Sequence, residues 1–248
     1  MEQAVLSAEN VSISFGENKI LENVSISLFD GEIVGLLGVS GAGKTTLFNI
    51  LSGIYVPDSG RVTLNGEDVT GKPGKVSYML QKDLLFDYMK VIDNVSIPLK
   101  LKGMKKKEAR EKADPLFKTF GLDGYQYKYP NEMSGGMRQR AALLRTYLAS
   151  DGVALLDEPF SALDTITKSK MHTWYLDIMS RINLSTIFIS HDIGEAVKLS
   201  DRVYILSGRP GKIIDEIKID CPKPRPENFD LSDEFLDYKR RIVKSLHL

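Results

Sequence analysis

Hydrophobic and polar residues alternate with a period of two in residues 11–15 and again in residues 24–28. This period is typical of half-buried β-strands, so both segments are predicted to be strands. Residues 33–37 are almost wholly apolar, which indicates a strand covered on both faces. A glycine-rich segment follows, and a helix is predicted from Thr45 onward. The chain is therefore predicted to begin with two half-buried strands, followed by one strand that is buried on both faces.

Turn-forming residues bracket the next hydrophobic stretch. Residues 57–60 (Pro-Asp-Ser-Gly) and the pair Asn65-Gly66 flank residues 61–64, a pattern that predicts a hairpin. Residues 76–80 are predicted to form a further buried strand.

Residues 91–148 have helical periodicity and many lysines and glutamates. Prolines cannot donate the helical hydrogen bond, so Pro98, Pro115 and Pro130 are predicted to interrupt these helices. We interpret this region as a helical subdomain inserted into the strand-rich part of the chain.

Apolar strand patterns resume at residues 153–156, 186–190 and 203–206, with helical stretches between them. Alternation of strands and helices predicts an α/β core with a largely parallel sheet. Residues 207–211 are predicted to form a turn.

The last part of the sequence has a different character. Residues 221–226 (Cys-Pro-Lys-Pro-Arg-Pro) are predicted to form an extended linker. Residues 232–248 are predicted to form an amphipathic helix with Ser232 as its N-cap.

A single domain of residues 1–248 is expected, because no internal repeat or second core is evident. Within it, residues 1–86 and 153–222 would form the core together with an antiparallel β subdomain near the N-terminus. Residues 87–152 would form the helical subdomain, and residues 223–248 the linker and C-terminal helix.

Charge and composition exclude several classes of function. Lysine plus arginine and aspartate plus glutamate both number 33, so no overall basic character favours nucleic acid as a partner. Cys221 is the only cysteine, which excludes an internal disulfide. Residues 1–10 lack a signal-peptide pattern, and no apolar run approaches the roughly 20 residues that span a bilayer. The chain is expected to be soluble when alone.

One segment carries a nucleotide-binding motif of high specificity. Its residues fit the pattern G-x-x-x-x-G-K-[ST] and are Gly38, Val39, Ser40, Gly41, Ala42, Gly43, Lys44 and Thr45. The glycines let successive backbone amides face phosphate oxygens beside a helix N-terminus. Lys44 would reach the terminal phosphates, Thr45 would bind Mg²⁺, and Thr46 completes the predicted site. The alternative is an ordinary glycine-rich turn.

Two adjacent carboxylates, Asp157 and Glu158, follow the apolar strand at residues 153–156. They should lie at the carboxyl edge of the sheet, where open α/β sheets bind ligands. Successive strand residues point in opposite directions, so Asp157 is predicted to bind Mg²⁺ and Glu158 to polarise an attacking water. The alternative is a solvated strand end.

Two further polar residues are predicted to follow strands at the same edge. His191 could hydrogen-bond the γ-phosphate or the attacking water. Gln81 offers an uncharged oxygen to the metal or the water. Either residue alone could have a purely structural role. Together with the preceding residues they predict an NTPase site.

A second glycine motif opens a predicted helix: Ser134, Gly135 and Gly136, followed by Met137-Arg138-Gln139-Arg140. The chain resembles the ATPase subunits of ABC transporters. The resemblance is carried by this motif together with the phosphate loop, Gln81, Asp157-Glu158, residues 161–164 and His191, which occur in the family's order along the chain. The resemblance covers nearly the whole chain. It implies a P-loop NTPase (RecA-like) core that hydrolyses ATP with Mg²⁺.

The resemblance also implies a mechanism that needs two subunits. In such a homodimer, Ser134, Gly135, Gly136 and Met137 of one subunit would contact the γ-phosphate held by the other, and Asp164 would lie at the interface. ATP would close the dimer and hydrolysis would reopen it. Separate transmembrane permease subunits would use this motion, so the chain would be cytoplasmic and peripheral on the inner face of the membrane.

Two departures from the family pattern are Met133, where leucine is usual, and Met137, where glutamine is commonest; neither removes a phosphate donor.

Phe15 occupies the place of the aromatic residue that stacks on adenine, although its pattern also fits a core strand residue. Residues 81–88, from Gln81 to Tyr88, resemble the groove that receives a permease, with Leu84, Leu85 and Phe86 as the expected contacts. The alternative is a loop that packs into the core.

Residues 134–140, 208–212 and 222–226 resemble the nitrate, sulfonate and taurine type of bacterial importer ATPase, some members of which could serve pyrimidine precursors. A substrate-binding protein would then be an indirect partner. Two alternatives remain: a soluble ABC-type ATPase in translation or DNA maintenance, and a regulatory module that binds nucleotide without hydrolysis.

Overall fold

The computed structural model describes residues 3–226 and 228–246. Within these ranges the strands are β1 (Leu6–Phe15), β2 (Asn18–Leu28), β3 (Ile33–Gly38), β4 (Ser59–Leu64), β5 (Glu67–Asp68), β6 (Ser77–Met79), β7 (Val153–Asp157), β8 (Ser185–Ile189), β9 (Arg202–Ser207) and β10 (Lys212–Lys218). The helices are α1 (Lys44–Leu51), α2 (Val91–Val95), α3 (Ile97–Leu101), α4 (Lys106–Thr119), α5 (Gly135–Ala149), α6 (Thr165–Arg181), α7 (Ile193–Leu199) and α8 (Asp233–Ser245).

The N-terminal strands form an antiparallel sheet of order β2-β1-β4-β5. The alternation in β1 buries Val11 and Ile13 but leaves Phe15 48% exposed. The turn at Asn65-Gly66 joins β4 to β5, so the predicted hairpin is present. Both of its residues have positive φ, the backbone conformation that this dipeptide favours.

The central sheet has the order β10-β9-β3-β8-β7-β6. All neighbouring pairs are parallel except β9 and β10. β3, β7 and β8 are buried almost throughout, because elements cover both faces of the sheet. The predicted α/β core with a largely parallel sheet is therefore confirmed.

Helices α2–α5 lie between β6 and β7 and share a hydrophobic core with them. Pro115 does not interrupt this region, contrary to the sequence prediction, because α4 continues through it. The proline forfeits one backbone hydrogen bond, but Ala109, Ala113 and Phe117 bury the apolar face of α4 on both sides of it. Tertiary packing thus outweighs the local cost of proline.

The other two prolines of this region lie where helices begin. Pro98 is in the first turn of α3, directly after the break between α2 and α3. Pro130 opens a short 3₁₀ turn, Pro130–Glu132, before α5. A helix start needs no amide donor from these positions, so both prolines are tolerated there.

The C-terminal region packs on the β9–β10 edge. Ser232 caps α8 as predicted, its Oγ accepting a hydrogen bond of 3.2 Å from the amide of Phe235. Phe235 and Ile242 bury the apolar face of α8 against α7 and β9. The helix ends at Ser245, and the last part of the predicted helix, residues 247–248, lies outside the described residues.

Two short or polar strands, β5 and β10, were not expected from the sequence. Both are edge strands with mostly exposed residues, so they carry little hydrophobic pattern. Across residues 3–226 and 228–246, every helix is too short or too polar to cross a membrane.

Candidate active site

The segment of residues 38–45 connects β3 to α1 and forms a compact loop. Gly38 lies against the backbone of Leu206, where a β-carbon would overlap the carbonyl oxygen. Gly43 has a φ of 97° and directly precedes the first helical residue, Lys44. Among the described residues, no side chain caps α1, and its first turn holds no acid. The positive end of the helix is therefore free to face an anion.

Lys44 lies inside this loop and is only 6% exposed. Its Nζ donates to the carbonyl oxygens of Gly38 at 2.8 Å and Val39 at 3.1 Å. Burial lowers the pKa of the ammonium group, and the negative charges of Glu158 and Asp157 partly oppose this. A cation held among loop carbonyls beside two acids is suited to move onto phosphate oxygens.

Asp157 is the last residue of β7 and is 8% exposed. The hydroxyl of Tyr78 on β6 donates to its Oδ2 at 3.2 Å. Burial raises the pKa of Asp157, although this hydrogen bond acts in the opposite direction. A buried carboxylate with one neutral donor is a strong ligand for a cation, because a nearby positive charge offsets its desolvation.

Glu158 has different partners from Asp157, as the alternation along the strand predicts. Gln81 donates from Nε2 to its Oε2 at 2.8 Å, and His191 Nε2 lies against its Oε1. Glu158 has a φ of 47°, a left-handed conformation that is costly outside glycine. The structure thus brings Gln81, Glu158 and His191 together at one edge of the sheet.

The predicted magnesium ligands supply the oxygen donors that this ion prefers: a hydroxyl from Thr45, an amide from Gln81 and a carboxylate from Asp157. Gln81 turns its NH₂ toward Glu158 and Ser161, which leaves the amide oxygen available to a cation. Among the described residues there is no cluster of three His, Cys, Asp or Glu side chains that could hold a metal. A site with one carboxylate suits Mg²⁺ that is also bound by substrate phosphates.

Phe15, at the end of β1, is not a core residue. Its ring is 48% exposed and packs edge-on against Tyr55, with centroids 5.5 Å apart. The core interpretation of Phe15 is therefore wrong. An exposed phenyl face remains available for stacking on a base.

The second glycine motif lies at the start of α5. Ser134 is its N-cap, and the Oγ accepts from the amide of Met137 at 3.3 Å. Ser134 and Gly135 are exposed, whereas Gly136 is buried against α6, close to Met171. The exposed end of this helix is therefore available to a ligand presented from outside the chain.

Asp164 caps α6, accepting from the amides of Ile166 and Thr167 at 3.1 Å each. Its hydrogen bonds with Thr167 lower the pKa of the carboxyl group. The preceding residue, Leu163, packs beside Gly135. A β-carbon built on Gly135 would lie 3.7 Å from Cδ2 of Leu163. Asp164 is exposed, so it shares a surface with the start of α5.

The predicted groove, residues 81–88, borders a cleft of about 810 Å³ that Gly135 and Leu163 also line. Leu84 and Phe86 are 51% and 45% exposed, and Tyr88 is 78% exposed. Leu85 is only 8% exposed and belongs to the core around α5. Leu85 was therefore wrongly expected to face a partner; the segment is irregular here, and the side chain packs into the core instead.

Sequence reasoning missed two residues that support the site. Tyr78 hydrogen-bonds Asp157, but a tyrosine within a strand usually indicates core packing. Gln139, 8% exposed on α5, donates to the carbonyl oxygen of Pro159, directly after Glu158. A polar residue on the buried face of a helix was the only signal for Gln139.

The chain is similar in sequence to a known protein family and to several of its members. The family described as "ABC transporter" matches residues 21–161. The formylaminopyrimidine import ATP-binding protein ThiZ of Halalkalibacterium halodurans is 39% identical over 88% of this chain and 86% of its own length. The nitrate import ATP-binding protein NrtD of Synechocystis is 40% identical over 86% of this chain and 85% of its own length.

A solved structure gives the same result. The dimeric structure of a bacterial ABC transporter cassette superposes with a TM-score of 0.72 at 27% identity, covering 86% of this chain and 98% of the cassette. The fold, the site and these relatives together show that the chain belongs to the ABC transporter family and is an ATP-binding subunit with ATPase activity.

Proposed function

We propose that this chain is the ATP-hydrolysing motor of a bacterial importer of a small solute and works as a homodimer beneath separate permease subunits. The observation that carries this proposal is the position of Glu158 between Gln81 and His191. A carboxylate held by two polar side chains next to a phosphate loop is arranged to act on water rather than to stabilise the fold.

Nucleotide binding is assigned to the phosphate loop and to Phe15. The amides of residues 38–46 would surround the phosphates, and Lys44 would exchange its loop carbonyls for phosphate oxygens. Phe15 would stack on adenine with its exposed face. Mg²⁺ bound by Thr45, Gln81 and Asp157 would neutralise charge on the phosphate oxygens.

Hydrolysis is assigned to Glu158 as the general base. It would accept a proton from the attacking water as the water oxygen bonds to the γ-phosphorus and the bond to the β-phosphate oxygen breaks. His191 would donate a hydrogen bond to the γ-phosphate. Gln81 would hold Glu158 through Nε2 and leave its oxygen for the metal or the water.

A second copy of the chain would complete each site. Ser134, Gly135, Gly136 and Met137 present a helix N-terminus, which suits the γ-phosphate of a nucleotide held by the partner. Asp164, exposed at the start of α6, would lie at the same interface. Closure on ATP and opening after hydrolysis would then be a population shift driven by the nucleotide.

The transported solute is proposed from the relatives, which are named for nitrate and formylaminopyrimidine import. Nitrate, sulfonates, taurine and pyrimidine precursors are the candidate cargoes, delivered to the permease by a substrate-binding protein. Leu84, Phe86 and Tyr88 are the exposed groove residues proposed to contact the permease. This contact would keep the chain in the cytoplasm on the inner face of the membrane.

The two alternative functions are not favoured. The relatives named above are import proteins, not factors of translation or DNA maintenance. A regulatory module without hydrolysis would not need Lys44, Asp157, Glu158 and His191 together. No role with nucleic acid is proposed.

A steady-state phosphate-release assay tests the proposal, first on the isolated chain and then with its permease. Wild-type protein should release phosphate from MgATP, and Lys44→Ala should abolish this by weakening nucleotide binding. Lys72→Ala, which changes an exposed lysine bonded to the backbone oxygen of Asp68, is the control. Phosphate release that is equal in Lys44→Ala and wild type would contradict the proposal.

A further inference from the structure

The turn between β9 and β10 brings a second basic side chain to the phosphate loop. A β-carbon built on Gly41 would lie 2.8 Å from Nη2 of Arg209 and 3.7 Å from its Cζ. The guanidinium group therefore covers the place where a side chain at Gly41 would stand. None of the motifs discussed above assigns a role to Arg209.

The turn that carries Arg209 is held firmly in place. The amide of Gly211 donates to the carbonyl oxygen of Ile20 at 2.8 Å, and the amide of Glu22 donates to the carbonyl oxygen of Gly211 at 3.0 Å. A β-carbon on Gly211 would overlap the carbonyl oxygen of Ala42 within the phosphate loop. The turn is thus fixed between β2 and the loop, so its distance from the loop is set by backbone contacts.

Arg209 is exposed and has no acidic partner in the part of the chain that the structure describes. The acid on the adjoining stretch of β2, Glu22, is taken by Lys19 at 2.5 Å and Lys212 at 2.6 Å. These lysines lower the pKa of Glu22 to about 2. An exposed guanidinium beside a loop of backbone amides thus keeps its donors for an anion.

Sheet order indicates which part of a nucleotide Arg209 could reach. The phosphate loop follows β3, with β9 on one side and β8 and β7 on the other. Glu158 and His191 follow β7 and β8, so the γ-phosphate end lies on that side. Arg209 follows β9, on the opposite side and next to β2. It therefore lies away from the bond that is broken.

We propose that Arg209 is a further nucleotide-binding residue, which donates hydrogen bonds to the α- or β-phosphate shared by ADP and ATP. Lys44 and Arg209 would then both neutralise charge on the polyphosphate. This inference rests on the proposed nucleotide site and adds to it a residue that acts on affinity, not on the chemical step.

Calorimetric titration with MgADP tests the inference, because ADP carries the shared phosphates without the γ-phosphate. Arg209→Ala should weaken MgADP binding by about tenfold, as expected for loss of a charged hydrogen bond. The non-hydrolysable analogue AMP-PNP should lose affinity by the same factor. The loss should shrink at high salt, since the contact is between exposed charges.

Two further variants separate a ligand contact from a structural effect. Lys212→Ala removes a neighbouring cation that is already paired with Glu22 and should leave MgADP affinity unchanged. Arg209→Lys keeps the positive charge but loses the coplanar N–H donors of the guanidinium group. Its MgADP affinity should lie between those of wild type and Arg209→Ala.

Equal MgADP affinity in wild type and Arg209→Ala would overturn the inference. Weaker AMP-PNP binding with unchanged MgADP binding would overturn the assignment to the shared phosphates. Failure of the wild-type chain to bind any nucleotide would instead overturn the proposed function itself, which the Arg209 variants alone cannot do.

Discussion

The side-chain amide of Gln81 donates a 2.8 Å hydrogen bond from Nε2 to Oε2 of Glu158. Gln81 is also the first residue of the exposed groove segment that ends at Tyr88. The proposed general base is therefore hydrogen-bonded to the start of the segment that carries the proposed permease contacts. Movement of this segment would change the position of Glu158. The hydrogen bond thus offers a physical connection between the proposed permease contact and ATP hydrolysis.

Replacement Glu158→Gln should keep nucleotide binding and reduce turnover. A neutral amide fills the same volume but cannot accept the proton of the attacking water, so kcat should fall by about 100-fold or more. Phosphate release under saturating MgATP measures this. Glu111→Gln, at an exposed position on α4, is the matched control. Unchanged kcat in Glu158→Gln would show that Glu158 is not the general base.

Replacement Asp157→Asn should raise the thermal stability of the nucleotide-free protein. Burial raises the pKa of Asp157, so the folded state binds this proton more tightly than the unfolded state. Its contribution to stability therefore falls as pH rises through the window between the two pKa values, and the charged form is unfavourable at neutral pH. The variant removes that cost.

Thermal unfolding with and without MgATP checks this prediction. For a chain of this size, each 1 kcal/mol corresponds to about 2–4 °C in Tm. MgATP should stabilise the wild type more than Asp157→Asn, because the variant lacks a metal ligand. A lower Tm for nucleotide-free Asp157→Asn than for wild type would contradict the account.

Replacement Asp93→Ala should destabilise the helical region. Arg110 forms a bidentate pair with Asp93, with distances of 2.9 and 2.6 Å, which ties α4 to α2. Asp93 is 7% exposed, so its loss should cost about 1–3 kcal/mol. Chemical denaturation measures this, with Asp177→Ala, which breaks an exposed pair with Arg181, as the control. Equal destabilisation by both variants would contradict the larger contribution to stability expected from the Asp93–Arg110 pair.

The same ion pair predicts a pH dependence. The hydrogen bond from Arg110 lowers the pKa of Asp93, so the stabilisation is present above the ordinary carboxyl pKa and is lost as pH falls through the lowered value. The difference in stability between wild type and Asp93→Ala should therefore shrink in acid. A difference that is constant with pH would contradict this cause.

Replacement Phe86→Asp should prevent assembly with the permease. Phe86 is 45% exposed, so a charge there should change the folding stability little but oppose burial in an interface. Copurification with the membrane subunits measures assembly, and Leu101→Asp, at an 82% exposed position outside the groove, is the control. Equal copurification of both variants and wild type would argue against this surface.

The strands of the central sheet were predictable because their burial on both faces leaves continuous apolar runs, as in β3 and β7. The edge strand β10 was not, because its sequence KIIDEIK mixes charged residues and isoleucines without a period of two, and only Ile217 is buried in it. The continuity of α4 through Pro115 depends on packing against α2 and α5, which no local pattern encodes. The domain boundaries stay a prediction.

The site residues were predictable where a motif fixes them, as for Lys44 and Asp157. Their roles remain predictions, although the structure places Gln81 and His191 in contact with Glu158. The supporting positions of Tyr78 and Arg209 depend on strand order and on how the β9–β10 turn meets the loop, so no local pattern reveals them. Leu85 was misplaced because exposure within an irregular segment has no periodic signal.

The central claim is that each nucleotide is held by the phosphate loop of one copy and by Ser134 of the partner subunit. A crystal structure of Glu158→Gln grown with MgATP tests this most directly. We expect a dimer in which the γ-phosphate lies within hydrogen-bonding distance of Lys44 and of the partner subunit's Ser134. ATP bound at Lys44 with Ser134 of neither copy near it would contradict the account.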